Sequence, residues 1–186
     1  MKKFAALLVT LVIFAGCTGK GNEMERAMGL RAALLGSEGC TFTAHLCADY
    51  GEELHEFTLY CEGKNDGDLG FRVEAPESIQ GITGRFRGQK GELTFAEGAV
   101  AFPLLADDQV TPVSGPWILL KTLLSGYLTA CNQEADHLHL TISDSYEEDA
   151  LQLEIWLDGQ DLPVQAEIIY GGRRILTMEI ENFQIL

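Results

Sequence analysis

The sequence predicts an α+β domain: one long, curved antiparallel sheet with about two helices packed against one side. Three observations carry that expectation. Across much of residues 40–180, apolar and polar side chains alternate with a period of two, the pattern of strands with one buried face. Turn residues interrupt the alternation at short intervals, as hairpins require. Residues 117–131 are apolar almost all round, with Lys121 the single charge, and a helix of that composition belongs inside a core.

The chain has 186 residues, enough for one core and too few for two ordinary domains. Hydrophobic residues make up 46% and charged residues 22%, which excludes compositional disorder. Thirteen basic residues against 28 acidic ones give a formal charge of −15. Phosphate-backbone binding relies on Lys and Arg, so no nucleic-acid partner is expected. The same balance argues against a basic patch on anionic lipid.

Lys2 and Lys3 precede an apolar run over residues 4–14, broken by Thr10. A bilayer of about 30 Å needs roughly 20 helical residues, so the run is too short to span one and fits a signal-peptide core. Phe14-Ala15-Gly16-Cys17 follows. It resembles the lipobox of bacterial lipoproteins. That resemblance implies diacylglycerol on the Cys17 thiol, cleavage before Cys17 and acylation of the new amine. Residues 1–16 are then a signal peptide, 17–22 a lipidated tether and 23–186 a single domain. Loss of Lys2 and Lys3 would leave 11 basic residues against 28, a formal −17. The expected location is extracytoplasmic, anchored to the cell membrane through lipid. One acyl chain holds weakly and two hold firmly, at about 0.8 kcal/mol per buried methylene.

Asn22 is positioned to cap a helix running to about Leu35, with Met24, Ala27, Met28, Leu34 and Leu35 at helical spacing and Gly36 as its stop. In the first hairpin Cys40, Phe42, Ala44 and Leu46 share one face, and Phe57, Leu59 and Cys61 return on the same side. A turn centred on Tyr50-Gly51 sets Phe42 against Leu59, Ala44 against Phe57 and Cys40 against Cys61. Asn65-Asp66-Gly67 signals the next turn. Leu69, Phe71, Val73 and Ala75 then line one side of a strand that Pro76 ends. A pair of strands over 82–87 and 92–95 is joined by residues 88–91. Pro116 suits the first turn of the buried helix. Four strands follow: Leu138, Leu140 and Ile142; Leu151, Leu153, Ile155 and Leu157; Val164, Ala166 and Ile168; Leu176, Met178 and Ile180. Asp158-Gly159 and Gly171-Gly172 turn between them.

In this order, a lipobox, a short helix, antiparallel strands, residues 75–82 (Ala-Pro-Glu-Ser-Ile-Gln-Gly-Ile), an apolar helix and a meander ending in Ile180-Glu181-Asn182-Phe183, the chain resembles the small envelope lipoproteins of the LolA, LolB and LppX type. The likeness extends to GerS-like lipoproteins of sporulating bacteria. What the resemblance implies is an incomplete barrel around helices. In some relatives the cavity carries acyl chains, and in others the domain binds a partner protein.

The cysteines beyond Cys17 are Cys40, Cys47, Cys61 and Cys131. An even number in an exported chain permits two disulfides in three connectivities. The hairpin register favours Cys40 with Cys61, which leaves Cys47 with Cys131. Phe42, Phe57, Phe71, Trp117, Tyr127 and Leu140 are candidates to line a hydrophobic cavity, or plain core. Trp156 and Ile169, apolar on an otherwise polar sheet face, are interface candidates.

His137 and His139 share a strand face, but no third ligand stands at a fixed spacing, so no metal is expected. His45 and His55 fall on opposite faces. Residues 65–68 lack the bidentate Glu of a calcium loop, because Val73 holds that position. Asp144 and Glu147-Glu148-Asp149 form an acidic loop. No acid, base and nucleophile constellation presents itself, so neither enzyme activity nor a cofactor is expected. Two functions stand. One is a lipid-anchored extracytoplasmic protein holding a lipid or other hydrophobic ligand in the half-barrel cavity. The other is an envelope or spore interaction protein, binding a partner or a second copy of itself, with a plugged cavity and no ligand.

Overall fold

A computed structural model describes residues 20–49, 54–88, 90–95, 98–103, 105–106, 109–147 and 150–186. The expected signal peptide over residues 1–16, and Cys17 and residues 18–19 of the expected tether, lie outside the described residues.

The first helix, α1, spans Lys20–Gly36. It begins two residues before Asn22, so Asn22 sits inside its first turn and does not cap it. Ala27, Leu30 and Leu34 are buried, at the i, i+3, i+7 spacing that gives a helix one inward stripe. Six strands then run as a meander: β1 Gly39–Asp49, β2 Leu54–Lys64, β3 Leu69–Ala75, β4 Thr83–Arg87, β5 Lys90–Phe95 and β6 Gly98–Pro103. A small ribbon, β7 Leu105–Ala106 with β8 Gln109–Val110, leads through a 3-10 turn at Pro112–Ser114 into α2, Gly115–Ser125. Five more strands follow: β9 Tyr127–Glu134, β10 His137–Ser143, β11 Gln152–Leu157, β12 Pro163–Tyr170 and β13 Arg173–Ile185.

The large sheet has 11 strands in the order β6-β5-β4-β3-β2-β1-β13-β12-β11-β10-β9. The last strand pairs antiparallel with the first, joining the two meanders into one unclosed sheet with β6 and β9 at its edges. The expected architecture, an incomplete barrel wrapped around two helices, is the observed one. A sheet of so many strands curls because each strand twists relative to the last. Its inner face carries Phe42, Ala44, Leu46, Leu59, Leu138, Leu140, Ile142, Leu153, Ile155, Ile168 and Met178, all buried.

The structure corrects the sequence reading in four further places. In the first hairpin Phe42 faces Cys61, Ala44 faces Leu59, Leu46 faces Phe57 and Cys40 faces Gly63. The pairing is shifted by two residues, which keeps every side chain on its expected face and is therefore invisible to the alternation. Gly63 decides it. A Cβ there would stand 2.6 Å from Leu120 Cδ2 and 3.2 Å from Cys40 Sγ, so the site beneath α2 admits a residue without a side chain.

The buried helix is the second correction. It ends at Ser125, and residues 127–131 belong to strand β9 instead. Gly126 N donates to Thr122 O at 2.8 Å, and a Cβ on Gly126 would meet Ile142 Cγ2 and Thr122 O at 2.7 Å. Third, β6 and the β7–β8 ribbon were not anticipated. Fourth, β5 begins at Lys90, so Lys90 and Gly91 belong to the strand and not to the turn. Residues 64–68 do make the expected hairpin turn, closed by Lys64 N to Asp68 O at 2.8 Å, with Gly67 at φ +89.

Candidate functional site: a filled concave side and a polar convex face

The concave side is occupied by α2. Nine of its residues are buried: Gly115, Pro116, Trp117, Ile118, Leu119, Leu120, Thr122, Leu123 and Leu124. Arg31 of α1 reaches its end, donating from Nε to Leu123 O (2.6 Å) and from Nη2 to Gly126 O (2.8 Å). These are carbonyls the helix cannot satisfy itself, and a cation is favoured at that terminus.

Of the cavity candidates, Phe42, Phe71, Trp117 and Leu140 are buried and packed in one cluster, and Phe57 is half-buried against it. Phe42 stacks on Phe183 at 5.4 Å between ring centroids, and Phe86 lies 5.7 Å from Phe71 and 5.8 Å from Trp117. Tyr127 departs from the expectation. It sits opposite Ser143, away from the core, 41% exposed and against Tyr146. The early end of α2 put it on a strand, facing outward. Trp117 Nε1 is buried and has no hydrogen-bond partner among the described residues, while Lys121 Nζ lies 5.1 Å from its ring.

The four cysteines are free thiols. Cys40 and Cys61 share the inner face as diagonal neighbours, and such Cα atoms stand about 7–8 Å apart, beyond ordinary disulfide reach. Burial pushes the Cys40 thiol up to about 11, a backbone hydrogen bond at Gly63 partly offsetting it. Burial raises Cys61 well above the usual thiol range, with Cys40 and Glu74 adding to the effect. Cys47 and Cys131 cannot bridge. Cys131, opposite Leu140, faces inward; Cys47, opposite Glu56 and Thr177, faces outward. Four strands separate their strands, roughly 24 Å across the sheet.

The convex face carries a built network. Trp156 stacks on His139 at 4.6 Å and donates from Nε1 to Glu134 Oε2 at 2.8 Å. His139 Nε2 lies 2.6 Å from Glu154 Oε2 without the angle of a hydrogen bond. Glu154 also accepts from Thr141 Oγ1 at 2.9 Å and from Gln152 Nε2. Ile169 lies opposite Gln152, on the next strand and four residues along from Trp156, so the two interface candidates stand about 13 Å apart with carboxylates between. Glu134 and Glu154 were missed in the sequence, although the strand alternation already set Glu154 on the face of His139 and Trp156.

Elsewhere on that face a cleft of about 400 Å³ is lined by His45, Cys47, Glu56, Phe57, Thr58 and Glu179, among others. A second, of about 470 Å³, lies beside α1 between Arg26, Gly29 and Ala33 and the turn at Gln160 and Asp161. Among the described residues no three His, Cys, Asp or Glu side chains converge to hold a metal ion, and no helix is long and apolar enough to cross a membrane. His137 lies opposite Glu134. Glu148 and Asp149 of the acidic loop lie outside the described residues.

No family model matches the sequence, and no curated protein matches it. Solved structures do. A LolA superfamily protein of Nitrosomonas europaea is 8% identical, with 86% of this chain and 93% of that one covered and a TM-score of 0.45. The lipoprotein LppX of Mycobacterium tuberculosis is 12% identical, with 87% and 93% covered and a TM-score of 0.42. A chain from the structure of the CwlD amidase of Clostridioides difficile in complex with the GerS lipoprotein is 12% identical, with 91% and 97% covered and a TM-score of 0.47. These are the kinds of protein that the sequence pattern resembles.

Proposed function

We propose that this chain is a lipid-anchored, extracytoplasmic interaction module. Cys17 carries the anchor, the half-barrel is plugged by its own helix, and a partner protein is recognised on the convex face. The observation that carries this reading is the burial of α2, nine residues of which fill the space where an acyl chain would lie. Trp156 supports the choice of face: Glu134 and His139 hold its ring in place before any partner arrives, and pre-organised aromatics contribute disproportionately to interfaces. Ile169 is the second apolar point of that surface. The test is a photo-crosslinker at position 165, beside Trp156, in the acylated protein in its native envelope. One discrete adduct, lost in Trp156→Ala, is the expected result. Adducts unchanged by Trp156→Ala would overturn the reading.

One observation favours the second reading, a lipid or other hydrophobic ligand held inside. Trp117 Nε1 is a buried donor with no acceptor among the described residues, which costs about 1–3 kcal/mol, and a ligand carbonyl or headgroup oxygen would relieve it. Native mass spectrometry of protein extracted in mild detergent separates the two. One co-purifying lipid per chain, displaced by Trp117→Phe, supports the ligand; bare protein supports the plug.

A further inference from the structure

Helix α1 carries two apolar stripes and buries one. Ala27, Leu30 and Leu34 pack into the core. Met24, Met28 and Leu35 are 42%, 46% and 50% exposed. At about 100° per residue these three fall within an arc of roughly 40°, and they extend about 16 Å along the helix. Single exposed apolar residues are ordinary, but three in line on one helix are a surface. Arg31, the nearest cation round the helix, is turned away to the carbonyls of Leu123 and Gly126.

We infer that this stripe lies on the membrane that holds the anchor, and so sets the orientation of the domain. The inference rests on the lipid-anchored reading above. What identifies the occupant is the length of chain before the helix. Two residues, Thr18 and Gly19, separate the anchor position, Cys17, from the first helical residue, Lys20, and the three Cα-to-Cα steps reach at most about 11 Å when extended. A tether this short keeps the first turn of the helix at the bilayer surface, and the apolar stripe gives the rest of the helix a reason to lie along it. Tethering raises the local lipid concentration so far that a contact too weak to recruit a free protein forms as an intramolecular step. The chemistry fits zwitterionic lipid. The mature chain carries a formal −17, which opposes an anionic surface, whereas methionine and leucine side chains enter the headgroup boundary of any bilayer. The convex face, on the other side of the sheet from the helices, then points away from the membrane, where a partner can reach it.

The test uses the full-length acylated protein on phosphatidylcholine vesicles containing dibrominated acyl chains, which quench nearby indoles. Met28→Trp adds a reporter on the stripe, and Glu62→Trp adds one on the convex face of β2. The added emission of Met28→Trp is expected to fall roughly twofold or more, as interfacial depth requires, while that of Glu62→Trp stays unchanged. Vesicle flotation is read in parallel. Flotation with neither reporter quenched overturns the membrane contact and leaves the anchor standing. Failure to float overturns the anchored reading and this inference with it. A dimer in detergent, by light scattering, that Met24→Gln with Met28→Gln dissolves would assign the stripe to a second copy instead.

Discussion

Arg31, on the first helix, ends the second: its guanidinium holds the carbonyl oxygens of Leu123 and Gly126 at 2.6 and 2.8 Å. The contact ties α1 to α2 across a gap of more than 90 residues in sequence and fixes where the plug stops. Arg31→Met keeps the side-chain length and removes both bonds. It is expected to cost about 2 kcal/mol, the range for charge-assisted bonds to partly buried groups. Arg31→Lys should recover little, since an ammonium cannot serve both carbonyls in the guanidinium's planar geometry. Urea denaturation reads both, and a loss under about 0.5 kcal/mol would show the contact to be incidental.

That contact also marks the limit of what the sequence discloses. The strands from β10 to β13 were legible because each buries one face, and a period of two is written directly in the residue order; the exception is the start of β12, where a register shift buries Pro163 in place of the expected Val164. The end of α2 was not legible. Residues 117–131 are apolar on all sides, so no phase distinguishes a buried helix from a following strand, and what separates them is a distant arginine and the crowding of Gly126 by Ile142. The convex network was half legible. His139 and Trp156 were on the correct face, but their partnership with Glu134 required the β9 pairing that the misplaced helix had concealed.

The register of the first hairpin rests on Gly63, and this can be tested directly. Gly63→Ala places a methyl 2.6 Å from Leu120 Cδ2 and is expected to destabilise by about 2 kcal/mol through overpacking. Leu120→Ala in the same chain should relieve part of that penalty, so the two changes together cost less than their sum. Strict additivity in a double-mutant cycle would mean that Gly63 does not lie beneath α2.

Asn182 predicts a different response. It sits at φ +54, and the pairing of β1 with β13 shifts register between Thr41 and Thr43, opposite Gln184 and Glu181. The irregularity lets both Ile180 and Phe183 face the core, Phe183 stacking on Phe42. Asn182→Gly, free of the Cβ penalty, should leave stability within about 0.5 kcal/mol. Asn182→Val should lower it by about 1–2 kcal/mol, the cost of a left-handed conformation for a branched residue. Equal effects of the two would remove the backbone argument.

The inner thiols are expected to lower the protein's stability in alkali. Cys40 titrates at about 11 in the folded chain, against 9.0 for an ordinary thiol. Between those values the unfolded chain has released the proton and the folded chain retains it, so unfolding is favoured as pH rises through that window. Below 9.0 the contribution of the neutral thiol is fully present. A shift of this size corresponds to roughly 3 kcal/mol, and Cys61 acts in the same direction. Denaturant midpoints from pH 8 upward should decline less steeply in Cys40→Ala with Cys61→Ala than in the native sequence. Alkylation gives the independent check. With iodoacetamide near pH 8, half-exposed Cys47 should label in the folded protein, while Cys40 and Cys61 should label after unfolding, as peptide mass spectrometry would show. Rapid labelling of Cys40 in the folded state would mean that its site beneath α2 opens to solvent, and the plugged half-barrel would have to be abandoned.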